Sequence, residues 1–222
     1  MVRSITLAAA LALGLGATVI VTPSLARDSA IKVPAPTVKE ASSGNRETAI
    51  FAGGCFWGVQ GVFSHVKGVV SAISGYTGGS ASTAQYETVS TGTTGHAESV
   101  KVVFDPQKVN YADLLRVYFS VVADPTQVNR QGPDQGTQYR TALFPMSPAQ
   151  AQVARAYIAQ LSAAHVYAAP IATRLEQQKG FFAAEAYHQN YMARNPNDPY
   201  ILYNDRPKVE ALKRMFPDNW RA

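Results

Sequence analysis

The chain has 222 residues, a formal net charge of +5 and a single cysteine, Cys55. One cysteine excludes an internal disulfide framework, and the scattered basic residues lack the Lys/Arg runs that mark nucleic-acid patches. His65, His96, His165 and His188 are too widely spaced for a zinc pattern, and neither a phosphate loop nor a dinucleotide fingerprint is present.

The N-terminus reads as a secretory signal: Arg3 gives the positive start, Ile5 to Val21 is apolar, and Ser24-Leu25-Ala26 suits cleavage after Ala26. An uncleaved anchor is the competing reading, weakened by Gly14, Gly16 and Pro23. Removing residues 1–26 takes away only Arg3, which leaves +5 − 1 = +4. Residues 27–46, with Pro34, Pro36, Ser42, Ser43 and Gly44, read as a flexible leader without apolar periodicity. Residues 47–222 are then one domain, long enough for a sizeable core.

Glu47–Ala52 is expected to be a strand. A helix over Phe56–Val66 is expected next, with Phe56, Val59, Phe63 and Val66 on one side. Between them, Gly53-Gly54-Cys55 puts the thiol at a helix start, where unpaired N–H groups and the helix dipole favour a thiolate. A buried, inert cysteine is the bland alternative. A strand over Val69–Tyr76 and a turn-rich loop from Thr77 to Gly95 follow. Val100, Val102 and Phe104 mark a strand closed by Asp105-Pro106. Asn110 caps a helix carrying Tyr111, Leu114, Leu115, Tyr118 and Val122, and Tyr139–Phe144 reads as the next strand.

The order β-α-β-β-α-β is the ferredoxin-like split arrangement, an α+β two-layer sandwich with helices on one face of an antiparallel sheet. Long loops and C-terminal additions complete it. Ser147-Pro148-Ala149-Gln150 starts a capped helix to about Ala164, Ile171–Leu175 is a short strand, and Ala183–Ala193 and Lys208–Phe216 are expected helices.

Five ordered blocks carry a family resemblance. They are Gly53-Gly54-Cys55-Phe56-Trp57; Tyr76-Thr77-Gly78-Gly79; Tyr86-Glu87-Thr88-Val89 with Gly95-His96-Ala97-Glu98; Asp124-Pro125-Thr126-Gln127 through Gly132-Pro133-Asp134-Gln135-Gly136 to Tyr139-Arg140; and Phe182 to Gln189 with Asn195-Pro196. From about Glu47 to Pro217 the chain resembles the peptide methionine sulfoxide reductase A family. The resemblance implies thiol-dependent reduction of peptidyl methionine S-sulfoxide through a sulfenic acid on Cys55, repairing oxidised exported proteins. It assigns Cys55 as nucleophile, Glu98 as proton donor, and Tyr86 and Tyr139 as hydrogen-bond donors to the sulfoxide oxygen. Phe56 and Trp57 would wall a slot for the methyl group, and Asp134 would orient the substrate. No bound cofactor is implied, only an external thiol reductant of thioredoxin, glutaredoxin or small-thiol type.

By residue type alone the same positions read differently. Phe56 and Trp57 would be core, Glu98 a solvated charge at a strand edge, Tyr86 a loop cover and Asp134 a turn residue. Two departures stand out. Ala123 occupies the position where many relatives have histidine, and no later cysteine exists to resolve Cys55, as in the subgroup lacking resolving cysteines. The partners expected are sulfoxide-containing proteins or peptides and the thiol donor, with no nucleic acid, no membrane after signal cleavage, and a monomeric state in the periplasm or outside the cell. Two other classes are weighed: a cysteine hydrolase using His96 or His188 as base, and a non-catalytic peptide-binding module.

Overall fold

The computed structural model describes residues 30–41 and 44–222; the expected signal, 1–26, lies outside them. Strand β1 (Glu47–Gly53) alternates its side chains between two faces. Ala49 and Phe51 enter the main core, while Ile50 and Ala52 join a smaller apolar cluster with Ala97, Ala142 and Phe144 on the other face. Helix α1 (Phe56–Ser64) follows, then β2 (Val69–Thr77) and β3 (Ala97–Phe104). Helix α3 (Tyr111–Val117) comes after the short α2 (Tyr86–Val89), and runs into a π-turn over Tyr118–Val122. Strand β6 (Thr141–Phe144) closes the unit.

In the sheet β1 lies between β6 and β3, and β3 between β1 and β2, with every one of these pairs antiparallel. That is the ferredoxin-like order expected from the sequence. Helices α1, α3 and α4 (Pro148–Ala163) bury their apolar sides with α6 (Arg206–Met215) on one face. Phe51 is the centre of this layer, stacking on Phe63 at 4.6 Å, Tyr118 at 5.7 Å and Tyr111 at 5.9 Å. Two short strands extend the edges: β7 (Arg174–Leu175) beside β6, and β8 (Phe181–Ala183) beside β2.

Both predicted caps form. The Asn110 side chain accepts from Asp113 N at 2.8 Å and Ser147 Oγ from Gln150 N at 3.2 Å. Gln150 does not complete the reciprocal box; its carbonyl reaches past Ser147 to accept from Met146 N. Three expectations need correction. Residues 183–193 are not one helix. Ala183 pairs with Gly75, a 3₁₀ turn covers Ala186–His188, Asn190 is left-handed at φ 52°, and only α5 (Tyr191–Arg194) is helical. Tyr139 belongs to a 3₁₀ turn (Thr137–Tyr139), so the strand starts two residues later than expected.

The third correction concerns the leader, which is not free along residues 30–41. Val33 is fully buried, its N–H donates to Ser120 Oγ and its carbonyl accepts from Arg116 Nε. Tyr157 Oη donates to the Pro34 carbonyl, Gln160 Nε2 to Ala35, and Lys39 pairs with Asp113. The segment is strapped across α3, its π-turn and α4.

Candidate active site

Strand register gathers the site. Gly53, the last residue of β1, faces Thr141 at the start of β6, and Tyr76 near the end of β2 faces Glu98 at the start of β3. The antiparallel pairing of β1 and β3 brings Cys55 and Glu98 to that same end of the sheet. Gly54 turns the chain there at φ +86°, and a Cβ on it would fall 2.5 Å from Gln131 Cβ. Glycine alone permits this turn against the hairpin formed by β4 (Arg130–Gln131) and β5 (Asp134–Gln135).

Cys55 is the N-cap of α1 and 8 % exposed. Here the expected thiolate is corrected. Burial pushes the thiol well above its ordinary value, the carboxylates of Glu98, Asp205 and Asp134 push it further, and the Trp57 N–H offsets only part of this. The resting group is a neutral thiol.

Glu98 is not a solvated edge charge. It is 3 % exposed, and its Oε2 accepts from Phe56 N in the first turn of α1 at 3.0 Å. Burial, which outweighs that hydrogen bond, raises its carboxyl to about 8, with Asp134 and Asp205 adding to the effect. The group is therefore a neutral acid near pH 7, suited to giving up a proton. Tyr86 and Tyr139 are also brought to this site. Both phenols are held above their ordinary value by burial first, then by the charge of Glu98. Both stay protonated donors.

Arg140 fixes these segments. It forms a two-pronged ion pair with Glu176 and donates to the carbonyls of Gly95, His96 and Thr137. Asp134 accepts from Tyr200 Oη in a short hydrogen bond, and its carboxyl is raised by burial against the lowering effects of Tyr200 and Lys208. These two residues border a cleft of about 320 Å³ that Ala123 and Gln131 also line.

The two aromatics after Cys55 differ. Phe56 is buried, packed on Tyr76 and His188. Trp57 is half-buried, stacked flat on Tyr191 at 3.8 Å and meeting the edge of Tyr200 at 5.8 Å.

Sequence reasoning gave no role to Asp205, Tyr200, Glu185 or Arg140. Asp205 is fully buried, pairs with Lys208 at 3.2 Å, and crowds Gly58 so closely that a Cβ there would sit 2.1 Å from Oδ1. Glu185 accepts from Tyr76 Oη at 2.8 Å and from Tyr86 N at 2.9 Å. Arg140 and Glu185 lie inside the quoted blocks, which was the available signal. Tyr200 and Asp205 lie in the tail, residues 200–209, that carries the likeness to the subgroup without resolving cysteines.

The hydrolase alternative finds no base. His96 spends both ring nitrogens on backbone, at Gly79 N and the Ser80 carbonyl. His188 Nδ1 takes the Trp57 indole N–H. Neither ring is hydrogen-bonded to Cys55. No group of three or more metal-ligating side chains occurs among the described residues.

A family model described as peptide methionine sulfoxide reductase matches residues 47–220. The chain belongs to that family. A curated relative from Mesorhizobium japonicum, peptide methionine sulfoxide reductase MsrA 2, is 60 % identical over 178 residues, covering 80 % of this chain and 91 % of the relative. The Deinococcus radiodurans MsrA is 47 % identical, covering 79 % and 85 %. Among solved structures, methionine sulfoxide reductase A of Corynebacterium diphtheriae superposes with a TM-score of 0.58 at 33 % identity, covering 77 % of this chain and 90 % of that one. Reduced Mxr1 from Saccharomyces cerevisiae gives 0.62 at 31 %, covering 72 % and 92 %. The chain is an oxidoreductase, a methionine sulfoxide reductase, with the α+β sandwich of those structures.

Proposed function

We propose that the protein reduces the S epimer of methionine sulfoxide in proteins and peptides, with Cys55 as nucleophile and an external thiol as reductant. One observation carries the reading: the chain's single cysteine is the N-cap residue of α1, and the acid Glu98 accepts a hydrogen bond from the N–H of the next residue, Phe56. The sulfoxide sulfur approaches Cys55 with its methyl against Trp57 above Phe56. Its oxygen takes hydrogen bonds from Tyr86 and Tyr139, which act where negative charge develops. Glu98 gives its proton to that oxygen as Sγ attacks the sulfur, and the thiol's proton restores Glu98. Asp134, held by Tyr200, steadies the other side. Cys–SH and R₂S=O thereby give Cys–SOH and R₂S: the oxygen moves to Cys55, which is oxidised by two electrons as the substrate is reduced.

An incoming thiol attacks the sulfenic acid, releasing water and leaving a mixed disulfide. A second thiol then frees Cys55 as the external disulfide departs. The reductant is of thioredoxin, glutaredoxin or small-thiol type, because the chain carries no second cysteine. The pattern of residues 1–26 supports action after export, on proteins oxidised outside the cytoplasm. Mass spectrometry of Cys55 after one turnover on a methionine sulfoxide peptide tests the reading. A gain of one oxygen on Cys55, with one methionine released per enzyme, is expected; release of methionine from enzyme with an unmodified thiol overturns it.

A further inference from the structure

The chemistry above uses only one part of the cleft of about 320 Å³ beside the site, Asp134 held by Tyr200. The cleft is also lined by Tyr203, which is 78 % exposed and whose side chain makes no hydrogen bond or ring contact to a described residue. We propose that this cleft holds the client's chain next to its methionine sulfoxide, with the Tyr203 ring packed against the neighbouring client side chain. The proposal rests on the substrate reading given above.

A chain of contacts leads from the site into the cleft. Trp57 meets the edge of Tyr200 at 5.8 Å, Tyr200 Oη donates to Asp134 Oδ2, and Tyr203 follows three residues later in a π-turn over Ile201–Asp205. Gln131, which also lines the cleft, lies against Gly54, the residue before Cys55. Most polar groups of the lining are already committed. Both ends of the Gln131 amide bond to the Asp124 backbone, at 2.7 and 2.9 Å, and Gln127 bonds to Asp124 Oδ2 and to Gly132 N. Lys208, the one cation among the described lining residues, donates to buried Asp205 at 3.2 Å. Two acceptors are left open, Asp134 Oδ1 and Asn204 Oδ1, since Tyr200 takes the other oxygen of Asp134 and the Asn204 amide nitrogen donates to the Tyr200 carbonyl. Open acceptors suit the main-chain N–H groups of an extended segment, with side-chain contacts adding selectivity. The Tyr203 ring offers such a contact, and tyrosine is the kind of residue that carries binding energy at an interface. Because Asp134 already steadies the sulfoxide, the occupant is the client that bears it, not the reductant.

The test is kcat/KM for sulfoxide reduction with dithiothreitol as reductant, for wild type, Tyr203→Ser and Tyr203→Phe. Three substrates are compared: N-acetyl methionine sulfoxide methylamide, a peptide with glycines flanking the sulfoxide, and the same peptide with phenylalanines there. Wild type should favour the phenylalanine-flanked peptide over the glycine-flanked one by about two- to ten-fold, the worth of one aromatic pair. Tyr203→Ser should bring that ratio to about one, with kcat/KM on the methylamide changed less than about two-fold. Tyr203→Phe keeps the ring and should keep the preference. Should Tyr203→Ser not fold, Tyr203→Gln replaces it, a long side chain without the ring. A wild type indifferent to the flanking residues, a preference that survives loss of the ring, a preference lost in Tyr203→Phe, or an equal loss on the methylamide overturns the proposal. So does an effect of Tyr203 that emerges only when a thioredoxin-type protein replaces dithiothreitol, which would give this surface to the reductant. Reduction of all three substrates without preference refutes only the role of the cleft; a wild-type enzyme inactive on all three refutes the substrate reading and this proposal with it.

Discussion

Replacing Glu98 by glutamine separates its proton from its shape. The amide oxygen can still accept from Phe56 N, which Glu98 Oε2 does now at 3.0 Å, so the start of α1 should stay in place. The acid is lost, and a positioned general acid is worth about 10²- to 10⁴-fold, which sets the expected fall in the single-turnover rate. Wild-type rates should decline as pH rises through about 8, where Glu98 loses its proton, and the variant should show no such limb. Stability should move the other way. A carboxyl raised from 4.5 to about 8 by burial binds its proton more tightly in the folded protein than in the unfolded chain. The stabilisation from that proton is complete below the lower value, declines between the two, and is gone above the upper one. The full difference corresponds to at most about 5 kcal/mol, so Glu98→Gln should be more stable than wild type at pH 9 by up to that amount and less favoured at pH 5. Rapid-quench measurement of methionine across pH 6–10, with urea unfolding at pH 5 and pH 9, reads both effects. An unchanged rate with an unchanged pH profile would show that the proton comes from elsewhere, Tyr86 and Tyr139 being next in line.

Cys55→Ser should abolish reduction without unfolding the protein, since serine nearly matches the shape but is a poor nucleophile; substantial turnover by the purified variant would remove Cys55 from the chemistry. Trp57→Ala should raise KM more than it lowers the melting temperature, because the indole is only half-buried; a large thermal shift with unaltered kinetics would place it in the core instead. Without added thiol, turnover should stop at one methionine per enzyme, and continued turnover measured by methionine release would contradict regeneration from outside. Val33→Ala should cost roughly 1–3 kcal/mol in denaturant unfolding at unchanged kcat/KM, and no loss of stability would mean the strap carries none of the core's energy.

The sequence was most readable where local pattern and tertiary packing agree. The alternation in Thr48–Phe51, the stripe from Phe56 to Phe63 and the caps at Asn110 and Ser147 each contain their own structural reason within a few residues. The stretch around Ala183–Ala186 has helical composition but is pulled into the sheet by pairing with β2, and left-handed Asn190 then ends any continuation. Long-range partners decide such cases over propensity. The same holds for the site. The motifs supplied Cys55, Glu98, Tyr86, Tyr139 and Asp134, but the protonated resting thiol was not legible. It depends on burial and on Asp205, 150 residues further along the chain, which no local spacing connects to Cys55. Strap residues such as Val33 were misread because a short, Pro-rich segment lacks periodicity even when one side chain plugs a core.

That strap has a consequence for where the protein can be cut. The stretch shared with the family begins at residue 47, whereas packing begins no later than Ile31, whose N–H donates to the Ser120 carbonyl. A fragment trimmed to the family boundary would leave Tyr157 Oη without the Pro34 carbonyl and open the surface that Val33 covers. Heredity and folding thus set different borders for this domain, and the smallest piece that carries every signature residue is not the smallest piece that closes its own core.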